Sequence, residues 1–154
     1  MGRETFRQLV RDALGRAARE GWRELMLCDA TFFDWPLGER VCVEALEVWA
    51  RGGGNRQFTM LAKRYDEVPR RHARFVEWRR QWSHKIECRA CASVDPQDLP
   101  SALWSPVWAL QRLDPALSNG VSGGQPERRQ WLREQIDQWI SRSTSAFPAT
   151  TLGL

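Results

Sequence analysis

The chain has 154 residues, 42% hydrophobic and 27% charged, with a net charge of +4. This composition suits one globular domain with its own core and excludes a disordered or fibrous chain. No apolar run reaches the length of a membrane span, and Met1 to Phe6 lack a signal peptide's apolar core. A cytoplasmic protein with four reduced thiols is therefore expected.

Positive charge comes almost entirely from arginine, Lys63 and Lys85 being the two lysines. Residues 63–89 hold nine basic and four acidic side chains, so the rest of the chain is close to neutral. Such a segment is either an electrostatic footprint for phosphate or the solvated face of a helix.

In chain order, Thr5-Phe6-Arg7-Gln8 reads as a capping box. Phe6, Leu9, Val10, Ala13, Leu14, Ala17 and Ala18 then recur at helical spacing until Gly21. Residues 24–28 form a short apolar run of buried-strand type, followed by a loop with Asp29, Asp34, three aromatics and Pro36. Asp34 or Trp35 is expected to cap a second helix with Pro36 in its first turn and Val41, Cys42, Ala45, Leu46 and Trp49 buried. Gly52-Gly53-Gly54 stops it, and residues 57–62 make a second strand, closing a βαβ unit.

A polar loop over residues 63–69, containing Tyr65, leads to a third helix marked by Phe75, Trp78 and Trp82. Alternation at Ile86, Cys88 and Ala90 predicts a third strand, and residues 95–100 an irregular crossover. Residues 107–110 are a fourth apolar run that turns half-polar at Gln111-Arg112-Leu113, and a short edge strand is expected near Val121. Pro126 opens a last helix with Trp131, Ile136, Trp139 and Ile140 on one face. The apolar tail, residues 146–154, is expected to pack on the body. No repeat or linker divides the chain, so residues 1–154 read as one domain, with residues 1–21 as its N-terminal amphipathic helix. Alternating elements predict an α/β three-layer sandwich with a mostly parallel sheet of four to six strands.

Few motifs carry chemistry. Cys88 and Cys91 have metal or redox spacing, but Cys28 and Cys42 supply no matching second pair, so structural thiols and no metal are expected. Gly120-Val121-Ser122-Gly123-Gly124 fits a nucleophile elbow, yet no strong strand precedes Ser122 and both histidines come earlier in the chain. The glycines at 52–54 precede a strand, where a phosphate cradle needs a helix N-terminus. Arg70, Arg71, His72 and Arg74, with Arg79 and Arg80 beyond, interleave with Trp78 and Trp82 as in nucleic-acid binders. Core indoles and solvated arginines explain that interleaving more simply. In an open α/β sheet ligands bind at the carboxyl ends of strands, which directs attention to Asp29 and Asp34.

The strand ending at Asp29, the Phe33-Asp34-Trp35-Pro36-Leu37 loop, Trp82-Ser83-His84 and the Phe147-Pro148-Ala149-Thr150-Thr151-Leu152-Gly153-Leu154 tail resemble a proteobacterial domain family that often follows a GNAT-type acetyltransferase domain. The order of elements also resembles half of a phospholipase D-like fold. In the register that places Asp114 and Ser122 on that superfamily's motif, Val107 and Ala109 stand where its histidine and lysine belong. The resemblance thus implies a phosphodiesterase fold without its chemistry.

These readings combine into a non-catalytic binding or accessory module without a cofactor. Its candidate ligand-binding residues are Asp29, Asp34, Trp35, Tyr65, Arg70, Arg71, His72, Arg74 and His84. A GNAT-type acetyltransferase or another protein is the first expected partner, nucleic acid or a phosphate ligand on the residue 70–80 segment the second, and a homodimer is compatible. An enzyme centred on His84 with Asp29 or Asp34 is the third reading.

Overall fold

A computed structural model of the chain describes residues 2–114 and 119–148. Helix α1 (Arg3–Glu20) buries one stripe, Phe6, Val10, Ala13, Leu14 and Ala17. It starts at Gly2 without a side-chain cap, so the expected capping box lies within the helix instead. It ends where Gly21, at φ 67°, donates its N–H to Ala17 O at 2.9 Å.

Strand β1 (Glu24–Cys28), helix α2 (Arg40–Arg51) and strand β2 (Gln57–Ala62) form the expected βαβ unit. Helix α2 is capped at Glu39, later than expected, because Asp34 is drawn into an ion pair and Pro36 lies in the preceding turn. Two short helices, α3 (Glu67–Arg71) and α4 (Ala73–Gln81), then lead to β3 (Ile86–Ala90), parallel to β2.

Strands β4 (Ser101–Trp104), β5 (Ala109–Asp114) and β6 (Asn119–Gly123) follow, then helix α5 (Pro126–Ile140) and the short strand β7 (Thr144–Ser145). The strand order is β6-β5-β4-β1-β2-β3-β7. Among the described residues, β1–β2 and β2–β3 pair in parallel, whereas β1–β4, β4–β5, β5–β6 and β3–β7 are antiparallel. This mixed, seven-stranded sheet overturns the expected mostly parallel sheet of four to six strands and the phospholipase D-like topology drawn from it. The physical reason lies in two short links, the ten residues 91–100 between β3 and β4, which hold no α-helix, and residues 105–108 between β4 and β5. Ser105 Oγ accepts from the Val107 and Trp108 N–H groups at 3.2 and 2.8 Å, making a tight turn. A parallel return needs a crossover of a dozen residues or more, so each of these links reverses the chain, first from β3 into β4 and then from β4 into β5.

Side chains alternate across the sheet into two cores. Leu25, Leu27, Phe58, Met60, Leu103 and Leu110 face α1, α2 and α4. Met26, Cys28, Leu61, Ala102, Trp104 and Ala109 face Leu132 and Ile136 of α5. Trp131, expected on that buried face, is 50% exposed because Leu132 takes the inward position. Arg79, expected in solvent, is 6% exposed, and its Nη2 donates to Phe147 O at 3.3 Å. The tail begins against the body, where Phe147 stacks on Tyr65 with ring centroids 5.1 Å apart. Leu152 and Leu154 lie outside the described residues, as does the Asp114 side chain; Ser122 is exposed on edge strand β6.

Candidate functional site

The register gathers the site at one edge of the sheet. The parallel strands β1 to β3 finish there, and Cys28 opposite Ala102 and Ser101 opposite Arg112 bring in the start of β4 and the end of β5. The loop of residues 29–39 covers this edge. Asp29, buried, accepts from the Thr31 and Phe32 N–H groups at 3.1 and 2.7 Å, a turn that holds Phe32 at φ 59°. A left-handed phenylalanine is uncommon and persists only where its surroundings over-determine it.

Two further clamps supply that constraint. Arg112, its side chain 2% exposed, donates to both Asp34 oxygens at 2.6 and 3.0 Å and to Asp29 Oδ1 at 3.3 Å. Its Nε reaches Ser101 Oγ at 3.2 Å, and its guanidinium carbon lies 4.2 Å from the centre of the Phe6 ring. Asp29 and Asp34 are therefore brought together, but as the acceptors of a buried arginine. On the other side His72, buried between α3 and α4, takes the Gly38 N–H on Nδ1 at 3.1 Å. With Nδ1 an acceptor, Nε2 carries the proton and donates to Phe32 O at 2.7 Å. Gly38 is required here, since a Cβ would stand 2.7 Å from Arg71 O and 2.8 Å from His72 Cα.

Burial holds the His72 imidazole below its ordinary pKa of 6.5, against the raising effect of its bond to Phe32 O. The unfolded chain then binds the proton more readily. The stabilisation from His72 is complete above about pH 6.5 and is lost as pH falls through the lower folded value. Unfolding in denaturant at a series of pH values should show stability falling as pH drops below about 6.5. In His72→Asn, which can still accept from Gly38, that slope should vanish; an unchanged slope would assign the titration elsewhere.

Beside this histidine a cavity of about 270 Å³ opens between α1, the loop and the α3–α4 junction. Its polar lining is dominated by Arg7, Arg71 and Arg74. Arg71 lies over the ring of Phe33, guanidinium carbon to centroid 3.6 Å, and Phe33 is 44% exposed. Arg74 donates to Gly38 O at 3.2 Å. The carboxylate in the lining, Glu39, already accepts from Arg11 at 2.7 Å and from Arg7 at 3.1 Å. Arg11 foremost, with Arg7, keeps that carboxyl below its ordinary pKa. Two buried donors of lining residues, Trp35 Nε1 and Arg7 Nε, meet no acceptor among the described residues.

Of the sequence candidates, Trp35, Arg71, His72 and Arg74 thus converge on one cavity, with exposed Arg70 nearby on α3. Tyr65 is a buried strut whose hydroxyl donates toward Met60 O and Arg89 O at 3.1 and 2.7 Å. His84 sits in the turn before β3, at the opposite edge, against Trp82. The parallel strands thereby separate it from Asp29 and Asp34, so these three groups form no common centre. The four cysteines are free; burial pushes Cys88 up to about 11 and Cys42 up to about 12, and Cys88 and Cys91 face opposite cores.

Sequence reasoning missed Arg112, Arg7, Phe33 and Glu39. Arg112 left a trace as a lone cation in the half-polar continuation of an apolar strand. Arg7 and Glu39 left none, because their pairing joins α1 to a loop 32 residues away.

No protein-family model and no curated protein matches the chain. A solved structure of TrmBL2, described as an archaeal chromatin protein with a novel mode of DNA binding, is similar at a TM-score of 0.66 and 14% identity. The match covers 94% of this chain and 52% of that one, so the chain spans about half the length of that protein. At this identity the likeness shows the fold. No described helix is long and apolar enough to cross a membrane.

Proposed function

We propose that the chain is a nucleic-acid-binding module whose contact face is the loop edge carrying Arg7, Phe33, Arg70, Arg71 and Arg74. The observation that carries this reading is the cavity rimmed by three guanidinium groups and an exposed phenyl ring, with its carboxylate already neutralised. Arginines that present unused donors beside an exposed aromatic suit phosphates and stacked bases. The described fold of TrmBL2, a DNA binder, adds fold-level analogy. Nucleic acid, second among the partners expected from sequence, thereby becomes the first. Arg79 takes no part, being buried in the body.

Fluorescence anisotropy with labelled single-stranded and duplex DNA, over a salt series, tests the reading. Wild-type binding should weaken steeply with salt. Arg70→Ala/Arg71→Ala/Arg74→Ala should lower affinity about 10²-fold or more near 0.1 M salt and flatten the log–log salt slope by about two to three. Arg128→Ala, on exposed α5, should change it far less. Equal binding by wild type and triple variant would reject the proposed face.

A further inference from the structure

We infer that the cavity between α1 and the α3–α4 junction is a receptor for a terminal phosphate, holding the phosphorylated end of a single strand whose last base stacks on Phe33. This rests on the nucleic-acid reading above and specifies the ligand at its centre. The first ground is shape. At about 270 Å³ the space falls just under that of pockets for drug-sized ligands, about 300–1,000 Å³. It has walls on three sides: Arg7 of α1, the loop from Trp35 to Glu39, and Arg71 with Arg74. A projecting phosphate and part of its sugar fit such a recess, whereas an internal phosphodiester lies along a continuous strand.

The second ground is hydrogen-bonding sense. Both nitrogens of His72 are committed, to Gly38 N–H and to Phe32 O. Glu39 is occupied by Arg7 and Arg11. What remains is donors. Arg71 uses Nε on Glu67 and Arg74 uses Nη1 on Gly38 O, leaving their other N–H groups. Trp35 Nε1 and Arg7 Nε are buried and have no acceptor among the described residues. A buried donor left unpaired is costly, so two of them on lining residues call for an acceptor-only ligand. A terminal phosphate has three strong acceptor oxygens and nearly two negative charges at neutral pH, more than a phosphodiester offers.

The third ground is the rim. Phe33 is exposed while neighbouring Phe32 and Trp35 are buried, and the Arg71 guanidinium over its ring presents a cation–π platform beside the recess. A base next to the captured phosphate can stack there.

The test compares one single-stranded oligonucleotide in three forms, 5′-phosphorylated, 3′-phosphorylated and unphosphorylated, by anisotropy near 0.1 M salt. One phosphorylated form should bind about tenfold or more tightly than the unphosphorylated strand. That ratio should fall toward one in Arg71→Ala and in Arg74→Ala, with circular dichroism confirming that each folds, and should persist in Arg128→Ala. Equal binding of the three forms by wild type would overturn the inference and leave the nucleic-acid reading standing; no binding of any form would remove both. A mononucleotide that displaces the probe as well as the phosphorylated strand does would overturn the strand-end assignment in favour of a free nucleotide.

Discussion

Arg112→Ala should destabilise the fold by about 3–5 kcal/mol, the usual cost of stripping one partner from a buried ion cluster. In a domain of this size that lowers the midpoint of thermal unfolding by roughly 10 °C. The reasoning rests on what is left behind. Without the guanidinium, Asp34 loses both of its short bonds and Asp29 loses its one charged partner among the described residues, while Arg3, 3.8 Å from Asp34 and largely exposed, cannot replace a buried cation. Asp29 also anchors the turn at Phe32, so the loop that shapes the cavity should loosen as well. A second variant separates charge from packing. Arg112→Met with Asp34→Leu and Asp29→Asn keeps an acceptor for the Thr31 and Phe32 N–H groups and removes every charge from the cluster. It should recover more than half of the loss, since apolar replacements of buried ion clusters are often neutral. If Arg112→Ala costs less than about 1 kcal/mol in denaturant unfolding, the cluster is not what closes this edge of the sheet.

The second large effect is expected at Trp35, which is 1% exposed and packs edge-on against Phe6 and Phe32 with centroids 5.3 and 4.9 Å apart. Trp35→Ala should cost about 3–5 kcal/mol through the cavity it opens. Trp35→Phe should cost only about 1 kcal/mol, because a phenyl ring retains most of the packing and Nε1 makes no hydrogen bond among the described residues. In binding the phenylalanine variant is the informative one. If the indole N–H serves a bound phosphate, affinity for the phosphorylated strand should drop several-fold with stability nearly intact. Unchanged affinity would confine Trp35 to the core.

Most helices, and the strands of the βαβ unit, were legible because their signal is local. The stripe of α1, the glycine stop at Gly21 and the short apolar runs of β1 and β2 depend on spacing alone. The second half of the sheet was not. Residues 101–104 lie just past the expected crossover, with no strand expected of them, and yet form a central strand, because pairing with β1 on one side and β5 on the other satisfies their backbone. The short links before and after it each reverse the chain, and a parallel expectation becomes a mixed sheet. Trp131 and Arg79 exchanged their expected environments for a similar reason: a shift of one position around a helix moves a side chain between core and solvent.

The candidate site divides the same way. Asp29, Asp34, Trp35, Arg71, His72 and Arg74 stood out by residue type and by position after a strand or at the head of a helix. Their roles did not, because each role is set by a partner distant in sequence. Arg112 turns two candidate ligand-binding carboxylates into counter-ions across some 80 residues, and Phe32 with Gly38 turns a candidate ligand-binding histidine, His72, into a clamp. Local pattern therefore settled most of the helices, the first three strands and the clustering of arginine in one segment, since periodicity and charge need only near neighbours. Which carboxylates stay free, which arginines reach solvent and where an anion finds unspent donors depended on strand order. Only the folded sheet brings those groups within hydrogen-bond reach.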